Sequence, residues 1–414
     1  MTGGARVGVA VGVLVLLGGL AGLGWWYQRS QQVSGRSADT LTVTVTSGAD
    51  RGPGTLREAL FLAAAAKGKA EVVIKVKEIA VETPLPPLVN TNGVRVIGPE
   101  GGAALDAHAL AGAAVLDVAG ANTSLENLQV RNCSGTAVLL RATDFRLRTS
   151  RIEACDVGVD VAENAGALLL ERDSFVNDRI GVRFAASTPN AVLSGNEFSN
   201  DKDAGLWAVR AAPDAHGSAI TVRENRFNND RSGIVAANVA VLIERNQFSA
   251  DPEAAIHLLG AGATLHANQV SGGSGMGIIA ENARDSIIDG NELAQLAAYG
   301  VMVRNSAGVL VRNNRVHNCG YGLAFVLGDQ RSPSTAVDNT IIEPQFNGID
   351  VIGDSPILRR NQVLQPRAFA LHVVDFHRPD GTTVTSHPFL DGNNFRAADT
   401  TQMAAGGSSA VKQP

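Results

Sequence analysis

From residue 126 to residue 395 the chain repeats one pattern: Asn-x-apolar, a short polar loop, Gly-apolar-x-apolar, then a second apolar run leading to the next Asn. The Asn position is filled by Asn196, Asn225, Asn246, Asn268, Asn291, Asn314, Asn339, Asn361 and Asn393, and degenerates upstream to Glu126, Ser150 and Asp173. Steps between neighbours run from 21 to 32 residues, most of them 22 or 23. A glycine follows in phase, as at Gly158, Gly181, Gly205, Gly233, Gly277, Gly300, Gly322 and Gly348. A fixed period in the low twenties with short strand-like segments predicts a solenoid. A leucine-rich repeat needs a Leu-x-x-Leu-x-Leu frame that is absent, and helical repeats need longer units of good helix formers. Units rich in Val, Ile, Asn and Gly predict instead an all-β parallel β-helix of about three strands per coil. Its coils would stack about 4.8 Å apart, placing each Asn amide over the next. The glycine would serve a left-handed or crowded bend.

Period-two alternation assigns the side chains. After each glycine, pairs such as Val159 and Val161, Val182 and Phe184, or Val301 and Val303 face the core. The residue between them faces out: Asp160, Arg183, Trp207, Val235, His257, Ile279, Met302, Ala324, Asp350 and His372. Four residues before each Asn lies a second outward series, nearly free of charge: Leu169, Val192, Thr221, Leu242, Thr264, Ile287, Leu310, Thr335 and Ile357. A long apolar stripe of this kind suits a partner, a lipid surface or self-association unless a loop covers it.

The termini read differently. Val7 to Gly24 is apolar and uncharged, and Trp25, Trp26 and Tyr27 follow at once. Residues 1–27 are therefore expected to be an uncleaved signal-anchor spanning a bacterial inner membrane, with the solenoid in the periplasm or another extracytoplasmic space; a cleaved signal peptide is the alternative. Residues 28–39 read as a linker and 40–125 as an N-terminal cap with the first coils. Residues 126–395 are the repeats, and 396–414 are a small polar tail expected to be disordered. Within the cap, Thr40 to Thr46 alternates like a strand. Thr55 and Glu58 form a capping box ahead of an Ala/Leu-rich helix to about Lys67, which would cover an open sheet edge. The net charge of -5 gives no electrostatic reason for nucleic-acid binding. Cys133 and Cys155 occupy equivalent loops of adjacent coils; they are either two small buried residues, the favoured reading, or a disulfide in an oxidising compartment.

The stretch Gly52-Pro53-Gly54-Thr55-Leu56-Arg57-Glu58-Ala59, followed by the Asn/Gly coils, resembles the pectate-lyase-like superfamily of right-handed parallel β-helices over about residues 40–395. The resemblance implies a right-handed solenoid. In function it spans polysaccharide lyases, glycoside hydrolases, uronan epimerases, adhesins and maturation accessory proteins. The Gly-His-Gly and Arg-Ile-Lys motifs of its polygalacturonase branch are missing. So is the Asp-Pro-His-Asp motif of alginate epimerases, of which Asp375 to Asp380 is only a loose echo.

Asp178, Asp201, Asp230 and Asp251 each fall five residues after the ladder position of their coil. Equal offsets predict a carboxylate column about 5 Å apart, neutralised by protonation, by Arg179, Lys202 and Arg231, or by calcium, the one cofactor such oxygens would suit. No spacing marks a zinc or copper site. These four aspartates are the candidate catalytic carboxylates. Asp160, Arg183, Trp207, His257, Asp203 and Arg231 are the candidate substrate-binding residues, with Trp207 as a sugar platform. Ordinary turn chemistry explains the same Asn-Asp pairs without any site. Two functions follow: a protein that binds, and as lyase, hydrolase or epimerase modifies, a cell-envelope polysaccharide; or a non-catalytic envelope scaffold holding protein partners on its flat faces.

Overall fold

The structure, a computed structural model, describes residues 40–185, 188, 190–210, 220–260, 262–273, 275–396 and 403–406. The expected signal-anchor and linker lie outside them. Among the described residues no helix is long and apolar enough to cross a membrane.

The strands assemble into three long parallel sheets, numbered 1, 2 and 3, of 15, 14 and 13 strands, each coil giving one strand to each sheet. Thirteen strands in sheet 3 make about 13 turns. Register holds from coil to coil. In sheet 3, Asp160 pairs with Arg183, Arg183 with Trp207, Trp207 with Val235, and Val235 with His257. The expected inward residues, among them Val159, Val161, Leu170 and Leu193, are buried, and one core runs the length of the solenoid. Inside it Phe175, Phe198, Phe227 and Phe248 stack with centroids 4.6–4.8 Å apart and planes within 8°.

The asparagine ladder forms as expected. Asn225 Nδ2 donates to Asn246 Oδ1 at 3.0 Å and to the Leu193 carbonyl at 3.0 Å, while its backbone N–H donates to the same Asn246 Oδ1 at 2.9 Å. The pattern continues to Asn393. A buried amide satisfied on every side costs little and fixes the register. At the upstream end one assignment needs correction. Arg148 pairs with Glu126 in sheet 1, so Glu126 faces out and binds Arg95 at 2.7 Å. The ladder position is Leu128, whose N–H donates to Ser150 Oγ.

The repeat glycines are crowded rather than left-handed. A Cβ on Gly181 would lie 2.7 Å from the Gly205 carbonyl and 2.8 Å from the Phe198 ring. The left-handed conformations sit one residue before each ladder position, at Arg172, Glu224, Arg245, Ala267, Asn313, Asp338 and Arg360.

At the N-terminal end helix α1 (Leu56–Ala65) buries Leu56, Ala59, Leu60 and Ala63 against the first coils. Thr55 caps it by accepting from the Glu58 N–H, while the Glu58 carboxylate reaches back to the Gly54 N–H at 2.6 Å. The helix stops at Ala65, two residues short of the expected Lys67. Asp375 to Asp380 belongs to a two-stranded antiparallel hairpin, Phe376–His377 with Thr383–Val384. In the stretch expected to be a disordered tail, Met403–Gly406 pairs with Leu371–Val374 and continues sheet 3.

Candidate functional site

A second corner of each coil explains the acidic column. Asn177, Asn200, Asn229 and Ala250 all have φ near +60°. That turn swings the next side chain inward, so Asp178, Asp201, Asp230 and Asp251 point into the solenoid. They form an interior ladder beside the asparagine one. Asp201 Oδ1 accepts from the Asp178 N–H, Asp230 Oδ1 from Asp201 and Asp251 Oδ1 from Asp230, at 2.9–3.1 Å. Asp178 and Asp230 are fully buried, and each Oδ2 of the four is buried without a hydrogen-bond partner. Burial pushes their carboxyls up to about 7 for Asp178, 9 for Asp201, 7 for Asp230 and 8 for Asp251; neighbouring carboxylates add to the rise at Asp201 and Asp251. These aspartates therefore cannot meet a substrate, which corrects their assignment as catalytic carboxylates. Nor do the basic neighbours serve them: Arg179 binds Asp156 and Asp203, and Arg231 binds Glu253. The same corner brings Cys133 and Cys155 together in a disulfide, with Cα atoms 4.5 Å apart, where two unlinked buried thiols were the favoured expectation.

The outward column of sheet 3 keeps its register, but Val235, Ile279, Ala324 and Asp350 on it are buried, while Asp160, Arg183, Trp207, His257, Met302 and His372 are half-buried. On it, Trp207 and His257 lie two coils apart. With Asp203, Arg231, Ser232, Val235, Glu253 and Leu259 they line a cleft of about 410 Å³. The cleft thus gathers four of the six residues expected to bind substrate. Asp160 and Arg183 occupy the two preceding rungs, outside the cleft, locked to each other by paired bonds of 2.8 and 2.6 Å. Arg231 Nε holds Glu253 at 2.8 Å across the cleft edge. His257 Nε2 is buried with no hydrogen-bond partner and lies 3.7 Å from Glu281.

Further along the same face is a cluster that pattern reading resolved only in part. Asp350 is 2 % exposed, because the rungs beside it stack over it. It accepts from His372 Nδ1 at 2.9 Å, from Asn347 Nδ2 at 2.8 Å and from the Tyr299 hydroxyl at 3.3 Å. Burial, then the nearby carboxylate, drive the Tyr299 phenol well above its ordinary range. The Tyr299 ring stacks on Tyr321 at 4.5 Å and Tyr321 on Phe346 at 4.9 Å; Phe346 is 50 % exposed. Phe369 stacks on the His372 imidazole at 5.6 Å. Asp350 and His372 were legible as outward positions. Tyr299, Phe346 and Asn347 were not: Phe346 and Asn347 precede their strand, where alternation carries no signal, and Tyr299 opens its strand ahead of the repeat glycine. Their clue is an aromatic residue recurring just before the repeat glycine, at Tyr299 and Tyr321. Chemically, an imidazole held through Nδ1 on a buried carboxylate offers Nε2 as an oriented proton acceptor.

Two family profiles match parts of the chain: "Right handed beta helix region" over residues 208–363 and "Periplasmic copper-binding protein (NosD)" over residues 107–259. Each covers less than half of it. The copper named in the second is not matched by the residues. Among the described residues no group of three His, Cys, Asp or Glu side chains could hold a metal ion, and the two cysteines in the matched stretch are joined to each other. No curated protein matches the chain in sequence. Solved structures that resemble it include a GH87 α-1,3-glucanase from Streptomyces thermodiastaticus strain HF3-3. It is 16 % identical with a TM-score of 0.52, over 89 % of this chain and 70 % of that one. A PL6 alginate lyase complexed with a trisaccharide is 13 % identical with a TM-score of 0.53, over 88 % and 85 %. A mannuronic acid-specific family 6 lyase from the human gut microbiota is 14 % identical with a TM-score of 0.50, over 85 % and 91 %. At such identities the likeness speaks for the fold. The chain is a right-handed parallel β-helix.

Proposed function

We propose that this protein binds a polysaccharide along the outward face of sheet 3, outside the cytoplasm. The observation that carries the reading is the cleft in which Trp207 and His257, from two different coils, converge with Asp203 and Arg231. A half-buried indole flanked by hydrogen-bonding groups is the usual means of holding a sugar ring, apolar on its face and polar at its edge. Structural neighbours that act on glucan and alginate agree with that reading. An extracytoplasmic location is supported by the Cys133–Cys155 disulfide and by the periplasmic family matched over residues 107–259. Anchoring through Val7 to Gly24 belongs to the same proposal.

Trp207→Ala tests the reading by calorimetric titration with envelope polysaccharide. The expected result is affinity lowered about tenfold, roughly 1.4 kcal/mol, with the melting temperature nearly unchanged. A loss of several kcal/mol of stability instead would make Trp207 a packing residue.

A second reading rests on sheet 1. Leu169, Val192, Thr221, Leu242, Thr264, Ile287, Leu310, Thr335 and Ile357 do face outward in one continuous register, ending at Phe389, which is exposed. That stripe is the surface a scaffold would use.

A further inference from the structure

Most charges of the sheet 3 face are paired with one another, and acidic groups are at least as many as basic ones. Arg183 is bound in two places by Asp160. Arg179 holds Asp156 through Nε and Nη2 and Asp203 through Nη1, at 2.7–3.1 Å. Arg231 holds Glu253, and Arg304 lies 3.8 Å from Glu281. Lys202, exposed in the loop ahead of Trp207, has no ion pair among the described residues and stands next in sequence to Asp203. Recognising a sugar carboxylate calls for a cation with hydrogen bonds to give, above all a guanidinium fork left open. The forks of Arg179 and Arg183 are filled, and Arg231 already gives its Nε–H to Glu253. A uronate bound here would also lie against Asp203, Glu253, Glu281 and Asp350, and like charges at such range repel.

Beside these charges the face carries aromatic and neutral groups. Trp207 lies at one end and the Tyr299–Tyr321–Phe346 stack at the other, its far member Phe346 six rungs or about 29 Å from Trp207 at the spacing of stacked strands. The rungs between Trp207 and Phe346 carry Val235, His257, Ile279, Met302 and Ala324, of which Val235, Ile279 and Ala324 are buried. At the far end, the His372 imidazole is oriented by Asp350 and its Nε2 has no protein partner among the described residues, so it can accept from a sugar hydroxyl.

We propose that the sheet 3 face selects a neutral glycan over a polyuronate, with Trp207 and Phe346 as stacking platforms and His372 Nε2 as a hydroxyl acceptor. This deepens, and rests on, the reading that the face binds polysaccharide. Stacking then supplies affinity without ionic attraction, so binding should be nearly independent of salt.

The test is calorimetric titration of the intact protein with two sets of hexasaccharides. Cellohexaose, laminarihexaose and mannohexaose are neutral; hexamannuronate and hexagalacturonate are acidic. The expected result is that at least one neutral probe binds about ten times or more tighter than either acidic one, with an affinity unchanged between about 50 and about 300 mM salt. Phe346→Ala and His372→Ala should each weaken that neutral probe about tenfold. Glu253→Ala should free the Arg231 Nε–H, remove a negative charge from the cleft and raise affinity for the acidic probes, a change that loss of folding cannot mimic. Tighter, salt-sensitive binding of an acidic probe would overturn the neutral-glycan inference and leave the glycan reading standing. Failure of all five probes to bind would overturn both.

Discussion

A left-handed residue at each corner decides which side chains enter the solenoid. Arg172, Glu224 and Arg245 all adopt φ near +55°, a conformation that costs most side chains about 1 kcal/mol or more. In return the next residue turns inward and joins a ladder. This is why the asparagine positions are readable from sequence: the residue type itself announces a buried amide. It is also why sequence misplaces the aspartate column, since Asn177-Asp178 and Asn200-Asp201 look like solvent turns until the corner geometry is known. Glu126 misleads for the opposite reason, because the true ladder residue there, Leu128, has no polar signature. Two outcomes follow at this scale. Asn268→Ala leaves the Asn246 N–H and Nδ2 without their shared acceptor, and should lower stability in denaturant unfolding by about 2–4 kcal/mol. Gly181→Ala places a methyl group against the Gly205 carbonyl and the Phe198 ring, and should cost about 1–3 kcal/mol or more in the same assay.

Among elements, the aspartate ladder ties stability to pH. Its four carboxyls titrate at about 7 to 9 when folded, against an ordinary aspartate value of 3.8. Below about pH 4 both folded and unfolded chains are protonated and the ladder's contribution is whole. Between there and the folded values, unfolding releases protons, so raising the pH favours the unfolded chain. Stability should therefore decline as the pH rises from about 5 to about 9, by up to roughly 1.4 kcal/mol per pH unit for each group that titrates. Unfolding midpoints at several pH values measure this. Replacing all four aspartates by asparagine should make the profile shallower, since an amide does not titrate, leaving the slope that buried Asp173, pushed up to about 8, contributes. A wild-type profile that rises with pH would show the ladder to be ionised. Next to it, the Cys133–Cys155 link closes a 22-residue separation, and its reduction should cost about 3 kcal/mol by chain entropy. Both cysteines were placed correctly by the repeat; proximity alone could not tell a bond from two thiols.

At the scale of the whole molecule, a solenoid turns sequence period into surface stripes. The outward column of sheet 3 and the apolar stripe of sheet 1 were both legible because alternation and register are kept from coil to coil. The Asp350–His372–Tyr299 cluster was only partly legible, since Asn347 approaches the column from the bend and Tyr299 from the first position of its strand. Two long faces, one aromatic and internally ion-paired, the other apolar, correspond to the two functions the fold allows. Hydrogen–deuterium exchange on the intact protein, with and without a saturating polysaccharide, separates them most directly. The account predicts slowed exchange at the sheet 3 edge, around residues 203–207, 231–235, 253–257 and 346–350, with sheet 1 unchanged. Unchanged exchange along sheet 3, or protection centred on the stripe from Leu169 to Ile357, would contradict it.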